Sequence, residues 1–175
     1  MLEDGCDLID NAIVLPRQDF PPLAFVTSPW IKPVEPPYPI RGYADAALYF
    51  TEKVYSPFTD FVQEEFVVLL LDSTHSVRYE ISLYRGIINS VMIRIAEVFR
   101  EAVRLNAYAI LVAHNHPSGS AKPSREDIAV TETLQAAGTL LDIKVLDHLV
   151  IGENQWTSLR GEGALGDLTL NTYTI

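Results

Sequence analysis

Between residues 108 and 127 the chain passes from an apolar segment through two histidines and a turn-rich loop into a helix start, and few folds accommodate that order. Residues 108–113 (YAILVA) are apolar, partly β-branched and bounded by turn formers, so they are read as a buried strand that delivers His114 and His116 at its end. Side chains at i and i+2 of a strand point to the same face, so both imidazoles can converge on one ion. Residues 117–123 (PSGSAKP) read as a loop. Ser124, with Asp127 three positions later, opens an apolar-periodic run that ends near Gly138. This predicts a helix over residues 124–137, with Asp127 in its first turn and facing back toward the strand end.

Zinc in hydrolases takes three protein ligands from His, Asp or Glu and keeps a fourth position for water, whose pKa falls to roughly 7. His114, His116 and Asp127 meet that requirement as the ligands of one Zn2+ per chain, which makes hydrolysis the leading expectation. A structural account stands beside this one. A strand histidine is often just packed, Ser124 is a natural N-cap, and Asp127 sits where a capping-box acid would sit. Capping explains Ser124 and Asp127 but not the paired histidines, and a capped helix start would also hold Asp127 rigidly.

These residues carry a family resemblance. His114-x-His116, seven residues, Ser124, two residues and Asp127 resemble the JAMM signature of the JAB/MPN metalloproteases. HNHPSG followed by PSREDI is similar to the RadC-like branch in particular. The similarity continues through EEFVVLLLD (64–72), YRGIIN (84–89), REAVRLNA (100–107) and LDHLVIG (146–152), covering roughly residues 43–160. It implies a single α/β domain of cytidine-deaminase-like, MPN-type layering, with a mixed central sheet flanked by helices. It also implies a general base at the start of the first core strand. Glu64 occupies that position, two residues before Phe66, with Glu65 as the fallback. On the implied mechanism Glu64 moves the proton from water to the leaving amine, while Ser124 and the ion stabilise the oxyanion. The family's Pro-Arg-Glu appears here as Ile95, Ala96 and Glu97, which puts inherited substrate specificity in doubt but not the ligand set.

Other singled-out residues lie outside that motif. His148, in the alternating VLDHLVIG, is expected to be a core residue bonded to a neighbour or an outer partner of the ligands. His75, in DSTHS, reads as an exposed hairpin residue. Gly86 is expected to permit a turn, and Arg85 to bind a substrate carbonyl or a structural carboxylate. Cys6, the single cysteine, excludes an internal disulfide and fits a reducing compartment.

Proline organises the rest. Eight of the eleven prolines fall between residues 16 and 39, where they disfavour helix and central strand, so residues 1–42 are read as an extended arm. Its apolar residues, among them Phe20, Phe25 and Trp30, suit packing along its own domain or a second copy, which would make a homodimer through the arm. Residues 43–160 form the expected domain and 161–175 a tail. Within the domain, residues 43–55 read as an amphipathic helix, 64–71 and 77–84 as a hairpin, 91–105 as a second helix, and 143–158 as a strand pair turning at GENQ.

Composition limits the function classes. The net charge is −10, with no lysine or arginine run, so duplex DNA is a disfavoured partner, because neutralising phosphates supplies most non-specific affinity. Nothing in residues 1–42 resembles the helix-hairpin-helix module that RadC-like proteins often carry. No run reaches about 18 apolar residues and the acidic start lacks a signal-peptide basic region, so a cytoplasmic protein without membrane contact is expected. Three readings follow. The first is a zinc peptidase or isopeptidase acting on a protein substrate, such as the C-terminus of a ubiquitin-like protein. The second is a non-proteolytic RadC-like DNA-repair or mobile-element accessory protein. The third is a metal-free interaction module.

Overall fold

The computed structural model describes residues 7–9, 12–14, 31–86, 93–160 and 171–174, with side chains described for 31–86 and 93–160. In chain order these form β1 (Asp7–Ile9), β2 (Ala12–Val14), β3 (Ile31–Pro39), α1 (Tyr43–Tyr49), β4 (Glu64–Leu71), β5 (Ser76–Gly86), α2 (Ile95–Arg104), β6 (Ala109–Asn115), α3 (Arg125–Leu141), β7 (Lys144–Gly152), β8 (Gln155–Ser158) and β9 (Asn171–Thr174). A π-helical turn, Phe50–Val54, prolongs α1. Strands β1 and β2 pair only with each other, and the other seven form one mixed sheet in the order β3-β5-β4-β6-β7-β8-β9.

The sheet is buried on both faces at its centre, which is why EEFVVLLL and AILVAHN read as nearly continuous apolar runs rather than alternating ones. On one face Val67, Leu69, Leu71, Leu111 and Ala113 pack with Ala46, Ala47, Tyr49 and Phe50 of the first helix. On the other, Phe66, Val68, Leu70, Ile110 and Val112 pack with Val98, Phe99 and Ala102 of α2 and Val130 and Leu134 of α3. The expected hairpin is β4–β5, turning through residues 72–76, where the exposed His75 takes a left-handed φ of 59°.

All sheet pairings are antiparallel except β6 with β7. A parallel pair cannot close with a tight turn; it needs a crossover, and α3 is that crossover. The N-terminus of α3 therefore returns to the end of β6, and this brings Asp127 to the histidines.

Two features depart from the periodicity. Helix α3 does not end near Gly138 but continues to Leu141 and closes at Asp142 in the left-handed region, φ 55°. Gly138 is needed not to end the helix but to let the chain turn back over it: a Cβ there would lie 2.5 Å from the Ile143 carbonyl oxygen. Second, residues 31–39 of the expected arm are the edge strand of the sheet, with register broken between Pro33 and Tyr38, as prolines without an N–H require. Residues 15–30, which include Phe20, Phe25 and Trp30, lie outside the described residues. Among the described residues no helix is long and apolar enough to cross a membrane.

Candidate metal centre

The last residues of β6 alternate across the sheet. His114, buried, shares a face with Val112 and Ile110 and points toward α3, while Asn115 points to the opposite face. His116 prolongs the parallel pairing past the strand end, its N–H donating to the Ile151 carbonyl at 2.9 Å. The loop that follows is pinned at Gly119, which takes φ 81° and whose carbonyl accepts from Glu153 N–H and Gln155 Nε2, both at 2.8 Å. Gly152 lies directly beneath: a Cβ there would sit 2.4 Å from the Gly119 oxygen. The chain can fold back over β7 only because that side chain is absent.

Ser124 caps α3 through a reciprocal pair of bonds. Asp127 N–H donates to Ser124 Oγ at 3.0 Å, and Ser124 N–H donates to Asp127 Oδ2 at 2.7 Å. So restrained, the Asp127 carboxylate lies 3.1 Å from His114 Nε2 through Oδ1 and 3.6 Å from His116 Nε2 through Oδ2. The two Nε2 atoms are 3.0 Å apart. His114, His116 and Asp127 thus form a group whose ligand atoms all lie within 4.8 Å of one another.

These residues fit a tetrahedral ion. Zinc–ligand bonds of about 2.0–2.1 Å place neighbouring ligand atoms about 3.3 Å apart, within the 3.0–3.6 Å spread of the closest approaches here. Proton positions agree. His116 Nδ1 faces the Ser120 carbonyl at 3.0 Å; a carbonyl only accepts, so Nδ1 carries the hydrogen and Nε2 turns its lone pair inward. Electron-pair donors packed this closely repel one another unless a cation lies among them.

Without a metal, that cation is a proton. Burial opposes charge on His116, but the hydrogen bond and field of Asp127 outweigh it and raise the imidazole pKa above its usual 6.5. Burial would raise Asp127, yet the His114 and His116 imidazoles against its carboxylate hold it far below the usual carboxylate range. The carboxylate is therefore ionised at any working pH.

Register decides between the adjacent glutamates. Phe66 pairs directly with His114, so the side chains two residues before Phe66 and two after His114 extend the same face; Glu64 and His116 occupy those positions. Glu64 also contributes to raising the His116 pKa. Glu65 faces the other way and is held by Arg85, whose Nε and Nη2 lie 2.6 Å and 2.5 Å from its Oε1. Arg85 thus binds a structural carboxylate, and Gly86 beside it takes φ 133°.

Two supporting residues could not be read from the motif. Buried Asn115 accepts from Glu65 N–H at 2.7 Å and donates through Nδ2 to the carbonyls of Gln63 at 3.1 Å and Phe61 at 3.4 Å, fixing the segment that presents Glu64. Thr131 stands one helical turn after Asp127 and, with the fully buried His148, reaches the outer side of His114. In the sequence His148 already stands out as a core residue bonded to a neighbour or an outer partner of the histidines, whereas nothing local marks Asn115 or Thr131.

Comparison with known proteins gives a consistent picture. The family model of the RadC-like JAB domain matches residues 40–164. A UPF0758 protein of Chloroflexus aggregans is 53% identical over 131 residues, covering 74% of this chain and 55% of that protein. One from Chloroflexus aurantiacus is 45% identical over 130 residues, with the same coverage, and one from Staphylococcus haemolyticus is 49% identical over 108 residues, 62% of this chain and 47% of that protein. The chain spans about half the length of these curated relatives.

Proposed function

This chain belongs to the RadC-like JAB domain family, and we propose that it is a zinc-dependent metallopeptidase that hydrolyses a peptide or isopeptide bond, at the C-terminus of a ubiquitin-like or other small protein. The observation that supports this most is the convergence of three lone-pair donors, His114 Nε2, His116 Nε2 and the Asp127 carboxylate, on the sheet face that also carries Glu64.

His114, His116 and Asp127 would hold the ion. Bound there, zinc would supply Lewis acidity, polarising a carbonyl and making water a better acid. Glu64, at the mouth of that face, takes the proton from the attacking water on a carboxylate oxygen and passes it to the departing amine nitrogen. Ser124 Oγ already accepts from the helix N–H of Asp127, so its own O–H is left to donate to the oxyanion that develops on the substrate carbonyl. The lone Cys6 supports action in a reducing compartment such as the cytoplasm.

Family membership supports the second reading, a non-proteolytic RadC-like accessory protein, as well as the first. The net charge of −10 weighs against a nucleic-acid role. Metal analysis of the purified protein, combined with a panel of ubiquitin-like C-terminal fusions, separates them. Stoichiometric zinc and cleavage lost in Glu64→Gln support the peptidase. Zinc without cleavage of any fusion, together with salt-sensitive DNA binding, supports the accessory role. Absence of zinc sinks the peptidase.

A further inference from the structure

Behind His114 runs a chain of three hydrogen bonds, two of them buried and the third partly so, that nothing in the proposed chemistry uses. Its order of protons follows from one short contact. Thr131 Oγ1 lies 2.6 Å from the main-chain carbonyl oxygen of Asp127, and two oxygens that close require the threonine proton between them, so Thr131 donates there. Its remaining lone pairs face His148 Nδ1 at 2.7 Å, so that nitrogen must carry a hydrogen. A neutral imidazole has one donor and one acceptor; His148 Nε2 is then the acceptor, and it faces His114 Nδ1 at 2.9 Å. The hydrogen at this last contact therefore belongs to His114. His148 and Thr131 are nearly inaccessible to water, at 1% and 4% exposure, so no solvent competes for the two bonds that His148 makes.

We propose that His148, oriented by Thr131, is a positioning residue that fixes the tautomer of His114, holding its Nε2 lone pair toward His116 and Asp127. This inference rests on the metal-centre reading above and deepens it. The relay ends on the carbonyl of Asp127, so the main chain of one member of the group sets the proton position of another. Each inner nitrogen thereby has its own lock: a loop carbonyl, Ser120, for His116, and a buried imidazole for His114. Phe66 braces both rings of the relay, with centroid distances of 6.4 Å to His114 and 5.7 Å to His148. An outer partner that accepts from a ligand imidazole raises its basicity and fixes its plane, and removing such partners costs about 10–100-fold in metal affinity.

The test uses the full chain, with zinc and cobalt(II) as probes. Nitrogen-15 NMR of the histidine rings in the metal-free protein above pH 8 should place the hydrogens on His114 Nδ1 and His148 Nδ1. His148→Leu should lower zinc affinity by about 10–100-fold and leave His114 as a mixture of tautomers. His148→Gln, whose Oε1 can accept where Nε2 did, should recover most of the affinity. Thr131→Val should mix the His148 tautomers and give a smaller loss. Should His148→Leu fail to fold, the glutamine and Thr131 variants and the wild-type spectrum still decide the matter. A hydrogen on His148 Nε2, or unchanged zinc affinity and tautomer in Thr131→Val and His148→Leu, overturns the proposal. Failure of the wild type to take up any metal refutes the metal-centre reading alone, because the order of protons is read in the metal-free protein.

Discussion

Phe66 and His114 face each other across the ladder between β4 and β6, their rings 14° from parallel at 6.4 Å, and this pairing decides which of two neighbouring glutamates shares a face with the histidines. Glu64 shares it. Glu65 is on the far face, bonded to Arg85.

Glu64→Gln is therefore expected to lower hydrolysis by about 10²–10⁴-fold, the usual contribution of a general base, with bound zinc unchanged. Glu65→Gln should keep both activity and zinc and show only a modest loss of stability. Steady-state rates on a fusion substrate and metal content of both variants check the assignment; equal loss in the two would refute it.

Ser124 has two expected roles that one variant can separate. Ser124→Ala removes the bond from Asp127 N–H. Losing such a cap costs about 1 kcal/mol, or about 2–4 °C in Tm for a chain of this size. A drop in kcat much larger than that loss of stability, with zinc retained, would mark the hydroxyl as an oxyanion donor. A purely structural serine predicts the fall in Tm alone.

Zinc binding should be lost on the acid side of the raised His116 pKa. The metal needs the neutral imidazole, protons compete for it, and the raised pKa carries that competition to higher pH than an ordinary imidazole would. Asp127 adds nothing there, since its carboxyl stays ionised. For the metal-free protein the signs divide. The His116 contribution to stability is present at low pH and disappears as pH rises through the folded pKa. The Asp127 contribution is present above the unfolded value of about 3.9 and decays as pH falls below it. Competition with a zinc indicator at several pH values, and Tm against pH, measure these; affinity constant from pH 5 to 8 would contradict the assignment.

Asn115→Leu should disturb Glu64 without touching the ligands. It strands Glu65 N–H and frees the carbonyls of Phe61 and Gln63, at about 1–3 kcal/mol for a group left buried and unpaired. Zinc content should persist while hydrolysis falls, because the segment bearing Glu64 loses its anchor. Loss of zinc together with activity would show that Asn115 supports the histidines instead.

Gly152→Ala forces a methyl group to within 2.4 Å of the Gly119 carbonyl oxygen. Overpacking of this kind costs about 1–3 kcal/mol. Because Gly119 N–H also donates to the His116 carbonyl, the displaced loop should weaken zinc binding as well as lower Tm. An unchanged zinc affinity would separate the loop from the site.

The legible part of the site was local. The run YAILVA-HNH gave the strand and the shared face of its histidines, and Ser124 with Asp127 gave the helix start, since a capping box closes within four residues. The end of α3 was not legible at Gly138, because that glycine makes room for the carbonyl of Ile143 folding back over it and does not stop the helix. The family resemblance favoured Glu64 over Glu65, but local pattern did not separate them, because both precede the same apolar strand and only pairing with β6 gives each a face. His148 was visible as a polar residue beside Asp147 in an alternating strand, with its partners unknown.

By itself, then, the sequence determined the α/β character of the chain and the set of residues that meet at the end of β6. Periodicity, turn chemistry and capping act over a few residues, and those short ranges are what a linear pattern records. Only the tertiary structure decided which strand flanks which and which buried polar groups satisfy one another. Asn115 finds its carbonyl at Gln63, 52 positions away, and His114 finds His148, 34 positions away. A buried donor takes whatever acceptor the packed sheet and helix bring within about 3 Å, and that choice depends on the assembled layers rather than on neighbours along the chain.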